Sequence, residues 1–318
     1  MVLELEMVYL LIVVILALLA LKGFLGKKTS FWVQGNADAF LLNLLRMGMC
    51  AFIGLALVFF EGARLSLAIE PTMIAICALS GISNVAFLIG WILAIKKNAM
   101  VTVDVSLTLG SLIPAILCAL LFAEPISIPK MAGFALIIIS TVILAGYSKS
   151  TLGKGSLSGA IFLAVASVGD GMMGFAQQLF RHYYSEGGSL YDGVVYPKSV
   201  FHFYTYLFAG LCLAVLYSGY RMICKSGDIS KEHINLVKPK ALAVILVMAL
   251  CMFISSYLQT VVSNDYGMPS QVLYPIIKGG CLITVNITAM LFFGEKITKR
   301  SVIGSLVALA GIIAMNVL

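Results

Sequence analysis

The chain has 318 residues, of which 61% are hydrophobic and 11% charged, and a formal net charge of +7. An ordinary soluble domain is roughly a quarter charged, so this composition excludes a water-soluble globular protein. The basic excess does not point to nucleic acid either, because the Lys and Arg residues punctuate apolar blocks and form no patch of their own.

Ten apolar blocks follow one another: 7–22, 39–60, 72–95, 100–122, 130–147, 157–181, 200–223, 240–263, 269–293 and 301–317. Each can cross a hydrocarbon core of about 30 Å as a helix, and within lipid the backbone must satisfy its own hydrogen bonds. The expected fold is therefore an all-α integral membrane protein with ten transmembrane helices. The first block is short but no small-residue cleavage site follows it, so it reads as a retained helix and not as a signal peptide. The longest connections, 182–199 and 224–239, are too small to bury a core. Cysteines 50, 77, 118, 212, 224, 251 and 281 show no metal-like spacing and read as small apolar packing residues. No metal and no cofactor is expected.

Charge sets the expected orientation. Arg64, Lys130, Arg181 and Lys198 fall on the side of the amino terminus, side A, while fifteen basic residues, Lys22, Lys27 and Lys28 among them, fall on side B. Short-loop Lys and Arg stay in the cytoplasm, so both termini are expected outside it, in a cell membrane.

The chain also repeats itself. Glu124-Pro-Ile-Ser-Ile-Pro-Lys-Met-Ala-Gly133 closes the fourth block and opens the fifth; Glu295-Lys-Ile-Thr-Lys-Arg-Ser-Val-Ile-Gly304 does the same for the ninth and tenth. The same register sets Gly133 and Ser140 against Gly304 and Gly311. Two five-helix copies, 1–148 and 149–318, are expected, and an odd number of crossings makes the second copy inverted. Inverted repeats build many secondary transporters, with a small-molecule site at the midplane and rocking halves around it. Gly304 and Gly311 also form a seam of small residues that could serve a homodimer.

The doubled Glu-x-Ile-Ser/Thr pattern, each followed by a Gly-entered helix, resembles the ten-helix EamA-type branch of the drug/metabolite transporter superfamily. Asn43-Leu-Leu-Arg46 and Pro114 are similar to an Arg and a Pro that its members carry in the second and fourth helices. The resemblance implies helices 1–4 and 6–9 around a central pocket, with helices 5 and 10 as outer scaffold. It also implies both termini in the cytoplasm, against the charge bias.

Ionisable groups at membrane depth are functional candidates by default. Lys278 shares a helix face with Gln271 and Tyr274 and could meet a substrate anion or a protein carboxylate; relatives moving phosphorylated sugars carry basic residues there. Asp170, on a stripe with Gly174, Gln177 and Arg181, lies at matching depth, and a pair with Lys278 across the interface of the halves is expected. Arg46 could bind an anion or snorkel to the interface. Asp104 could couple ions or be a first-turn acid. Asn84 and Trp91 could contact a substrate, with Trp91 fitting an interfacial belt slightly better. Tyr183, Tyr184, Tyr191 and Tyr196 read as an aromatic belt, and the three histidines receive no proton-relay role.

Two function classes compete with metabolite transport. Asp170 and Asp104 would suit a proton-coupled exporter of cationic drugs, and a lipid-linked substrate is a further alternative. Val168-Gly169-Asp170 with Tyr191-Asp192 resembles intramembrane aspartyl proteases, but the order is reversed and Asp192 falls in a loop. The expectation is a non-enzymatic, secondary-active permease for a small polar metabolite bearing an anionic group.

Overall fold

The computed structural model describes residues 2–33, 35–97, 100–122, 127–152, 157–186, 188–223, 236–293 and 298–317. Among them the chain forms eleven α-helices, one 3-10 turn at Arg64–Leu67 and no strand. The helices are α1 Val2–Ser30, α2 Asn36–Phe60, α3 Pro71–Lys97, α4 Met100–Gly110, α5 Leu112–Phe122, α6 Ile128–Leu152, α7 Leu157–Tyr184, α8 Lys198–Ile223, α9 Pro239–Asn264, α10 Ser270–Phe293 and α11 Lys299–Val317. Six of these, α1, α2, α3, α7, α8 and α9, are long and apolar enough to cross a membrane. Large apolar side chains such as Phe52, Leu120, Val142 and Val215 point outward, as a lipid-facing surface requires.

Besides small shifts at other ends, two differences from the sequence reading have a local cause. The first helix does not stop at residue 22 but runs to Ser30, because Gly23-Phe-Leu-Gly26 continues its apolar face beyond Lys22. The fourth block breaks at Ser111 into α4 and α5. Pro114 has no N–H to give the Gly110 carbonyl, and Ser111 turns its hydroxyl onto the Thr108 carbonyl at 2.7 Å. Parts of the repeated motif, 123–126 and 294–297, lie outside the described residues.

Helix pairings come in couples. α3 packs on α7 and α9 on α1; α3 meets α8 and α9 meets α2; α4 meets α6 and α10 meets α11; α2–α8 and α6–α11 pair directly. Exchanging α1, α2, α3, α4/α5 and α6 for α7, α8, α9, α10 and α11 turns each of the first six pairings into another of the set and α2–α8 and α6–α11 into themselves. The α6–α11 contact shows the same exchange at atomic level. Ser140 Oγ donates to the Gly304 carbonyl at 2.7 Å, and a Cβ on Gly311 would stand 2.9 Å from the Gly133 carbonyl oxygen. The seam offered by Gly304 and Gly311 for a homodimer is therefore filled by α6 of the same chain.

Small residues allow the closest contacts. A Cβ on Gly169 of α7 would lie 2.4 Å from the Phe87 backbone nitrogen of α3, and one on Gly90 of α3 would lie 2.7 Å from the Ala166 nitrogen of α7. Backbone cannot retreat as a side-chain tip can, so Gly169→Ala is expected to destabilise the protein by about 1–3 kcal/mol, the usual range for overpacking. Gly48→Ala, with nothing within 4 Å of the new Cβ, should leave stability unchanged or slightly higher. Thermal melts of the two purified variants in detergent, side by side, check this.

Candidate functional site

α7 owes its position to its glycines. Gly169 lies against α3, Gly171 against the Gly110 carbonyl at the end of α4, and Gly174 under the Tyr274 ring of α10. Asp170 is carried in the middle of this run, mostly buried, and its Oδ2 receives Lys278 Nζ at 2.5 Å. The expected pair thus forms. It does not join the two expected copies, however: α7 and α10 both fall within residues 149–318.

The pair forms part of a cavity wall. The cavity contains about 810 Å³ of space including its open mouth, and its lining comes from α1, α3, α4, α7, α9 and α10. α6 and α11, packed on each other, contribute nothing to the described lining, nor do α2 and α8. Apolar residues Leu107, Met173, Met252 and Ile277 supply much of the wall, while Ser255, Ser256 and Gln259 of α9 supply hydroxyls and an amide.

A second cation was missed by the sequence reading. Lys22, counted there among the loop charges, lines the cavity with Lys278 and Asp170. Its ammonium lies 5.3 Å from the centroid of the Phe87 ring, within cation–π range. The available signal was its spacing: four uncharged residues, Gly23 to Gly26, separate Lys22 from the paired Lys27 and Lys28. Those residues keep the helix going, so Lys22 sits inside it, while Lys27 reaches the helix end and donates to the Ile95 carbonyl at 3.2 Å.

The other expected site residues divide. Trp91 lines the cavity and is buried, its indole seated over Gly26, where a Cβ would overlap the ring; it is no belt residue. Tyr274 and Gln177 act one layer back. The Tyr274 hydroxyl lies 2.8 Å from Gln177 Oε1 and 3.0 Å from the Gly174 carbonyl, and Gln177 Nε2 donates to Ser256 Oγ at 3.0 Å. This chain of bonds holds a cavity hydroxyl from behind.

Asn84 is fully buried away from the cavity lining, and neither atom of its amide has a partner among the described residues. Arg46 does not snorkel: it is 1% exposed, donates from Nη2 to Asn43 Oδ1 at 2.5 Å, and leaves Nε and Nη1 unbonded among the described residues. The side chains of Asp104 and Gln271 lie outside the described residues.

A cluster of polar and aromatic groups gathers near the end of α2, the start of α3 and the end of α7. Tyr184 donates to Glu70 Oε1 at 2.6 Å and meets the Tyr196 ring edge-on at 5.1 Å. Ser199 and Tyr257 both donate to Glu61. Tyr184 is therefore a buried packing residue and not part of a lipid belt. His202 stands buried among Phe201, Tyr206, Phe253 and Tyr257, hydrogen bonded to Thr260. Asp192 accepts the Val194 N–H within its own loop, and Asp170 faces Lys278, so these two carboxylates do not share a site.

No protein-family model matches this chain, and no curated protein matches it. Solved structures do resemble it. One crystal structure of a protein superposes over 97% of this chain and 96% of that chain with a TM-score of 0.65, at 12% sequence identity. That likeness concerns the fold alone, across nearly the whole length of both chains.

A buried ion pair loses most when one partner is removed, by about 3–5 kcal/mol, because the other charge is stranded. Lys278→Gln and Asp170→Asn are each expected to lower the melting temperature. The double variant should be more stable than the sum of the single losses predicts. A double-mutant cycle of thermal melts measures the coupling directly, and a coupling near zero would show that the pair does not hold the helices.

Proposed function

We propose that the chain is a secondary-active transporter that moves a small metabolite with an anionic group by alternating access. It is built of ten membrane spans, with α4 and α5 together forming one, in two inverted five-helix halves, 1–148 and 149–318. The observation that carries this reading is the cavity lined by α1, α3 and α4 of one half and α7, α9 and α10 of the other. A site held between two exchange-related halves is what rocking needs in order to expose it to either side in turn. The coupled helix pairings and the antiparallel Ser140–Gly304 and Gly311–Gly133 contacts support the inversion. The motifs around Glu124 and Glu295 make the EamA-type branch of the drug/metabolite transporters the family we favour.

The substrate class follows from charge. A cationic substrate needs an acid free to meet it, yet Asp170 is already engaged by Lys278. The bonds of Glu61 and Glu70 to their tyrosine partners support a reading in which the cavity belongs to an access state sealed on side A. With Lys22 moved into the membrane, fourteen basic residues remain on side B against four on side A. Side B is then cytoplasmic and both termini lie outside.

Purified wild type and Lys278→Ala screened by thermal shift against a library of anionic metabolites and cationic amphiphiles test the substrate class. A ligand confined to the folded state raises the melting temperature with the logarithm of its concentration over Kd. An anionic metabolite that stabilises the wild type and is then exchanged across proteoliposomes supports the reading. Stabilisation by cationic amphiphiles alone would replace it with a cation exporter. Cross-linking α3 to α9, whose Trp91 and Ser255 line the same cavity, should stop exchange while leaving binding measurable.

A further inference from the structure

Within that transport reading, we propose that Lys22 is the anion-binding residue, and that the substrate is an organic monocarboxylate with an apolar body. The Lys278–Asp170 pair, on this view, is a framework element that the substrate leaves closed.

The argument begins with the ionic groups of the cavity. Among the described residues three formally charged side chains line it: Lys22, Lys278 and Asp170. Lys278 and Asp170 neutralise each other at 2.5 Å. Among the described residues Lys22 has no carboxylate within ion-pair distance, and its contact is the face of the Phe87 ring. A cation at membrane depth without a counter-charge is expensive, and a cation–π contact returns only about 1–2 kcal/mol even where water is excluded. The remaining deficit is what an incoming anion would offset. One uncompensated positive charge calls for one negative charge, so a dianion would carry an excess and an amine would be repelled.

The rest of the wall describes the body. Next to Lys22, Phe87 and Trp91 present tilted rings with centroids 6.2 Å apart, and Met173 and Met252 add adaptable thioether surface. Gly23 and Gly26 keep the Lys22 side of α1 clear of side chains, which lets the Trp91 indole lie against that helix. A carboxylate on Lys22 therefore has an apolar slot beside it. The half-exposed Gln259 of α9 can meet a polar group on the substrate, such as a hydroxyl.

Four probes that differ mainly in charge test this: 3-phenylpropionate, its neutral amide, 3-phenylpropylamine and the dianion phenylsuccinate. Thermal shift and proteoliposome exchange are measured on wild type, Lys22→Arg, Lys22→Gln and Lys22→Met. Methionine keeps an apolar stem over Phe87, so the last variant controls for folding. The monoanion should stabilise the wild type most. Affinity should fall at least tenfold in Lys22→Gln and Lys22→Met and stay within a few fold in Lys22→Arg, while the melting temperature without ligand changes little.

Equal binding of 3-phenylpropionate by Lys22→Met and wild type would overturn the assignment. So would a preference of wild type for the amine or the dianion, or no binding of any probe. The two readings fail separately. Lys22-dependent binding without exchange leaves this inference standing and removes the transporter, whereas Lys22-independent exchange does the reverse.

Discussion

In lipid, an apolar side chain gains little by leaving acyl chains for another helix, so helices associate through close packing and the few polar bonds that packing permits. α7 concentrates this effect. Three glycines within six residues line its contacts: Gly169 and Gly171 set its backbone against α3 and α4 at distances no Cβ would tolerate, and Gly174 sits tightly under the Tyr274 ring of α10. Asp170 stands among them, which means that the same contacts that build the bundle also fix the cavity's only described carboxylate. Position and charge are set together: a looser α7 would widen the slot and separate Asp170 from Lys278.

Polar groups inside the bundle are satisfied unevenly. Tyr274, Gln177 and Ser256 form a continuous chain from α10 through α7 to α9, and a chain of this kind orients its last hydroxyl at little further entropic loss. Arg46 is the opposite case. Its one described bond, to Asn43 on the same helix, leaves most of a buried guanidinium without acceptors among the described residues. Burial of this kind costs several kcal/mol, and nothing in the described structure offsets it. Asn84 poses the same problem on a smaller scale.

Much of the fold was legible in the sequence because lipid leaves few options. Apolar blocks had to be helices, and the ends of most blocks fall within a few residues of the observed helices. The pairing of Lys278 with Asp170 was legible for a related reason: two opposite charges at equal depth on neighbouring helices have strong cause to meet. What escaped was governed by features that hydropathy does not weigh. The break at Ser111 depends on the missing N–H of Pro114, not on any change in apolarity. The burial of Trp91 depends on Gly26 lying opposite it, which no periodicity along α3 reveals. Lys22 escaped because a charge near the end of an apolar block reads as that block's boundary; only the Gly23–Gly26 segment beyond it shows that the helix continues.

The placement of Lys22 also decides how a bound anion would act on the halves. In the proposed two-half arrangement α1 belongs to the first half, yet it packs on α9 and α10 of the second. The second half brings to the cavity a self-neutralised pair, and the first brings a lone cation. An anion on Lys22 removes the electrostatic penalty of holding that ammonium between the halves. On the proposed alternating-access reading, the same anion in the opposite access state would meet Lys22 in contact with water, where a cation needs no counter-charge. Binding energy from this one contact is therefore larger in the states that bury Lys22 than in those that expose it. A ligand shifts a conformational equilibrium only through such a difference, so on that reading one half-buried lysine on α1 is enough to link occupancy to closure.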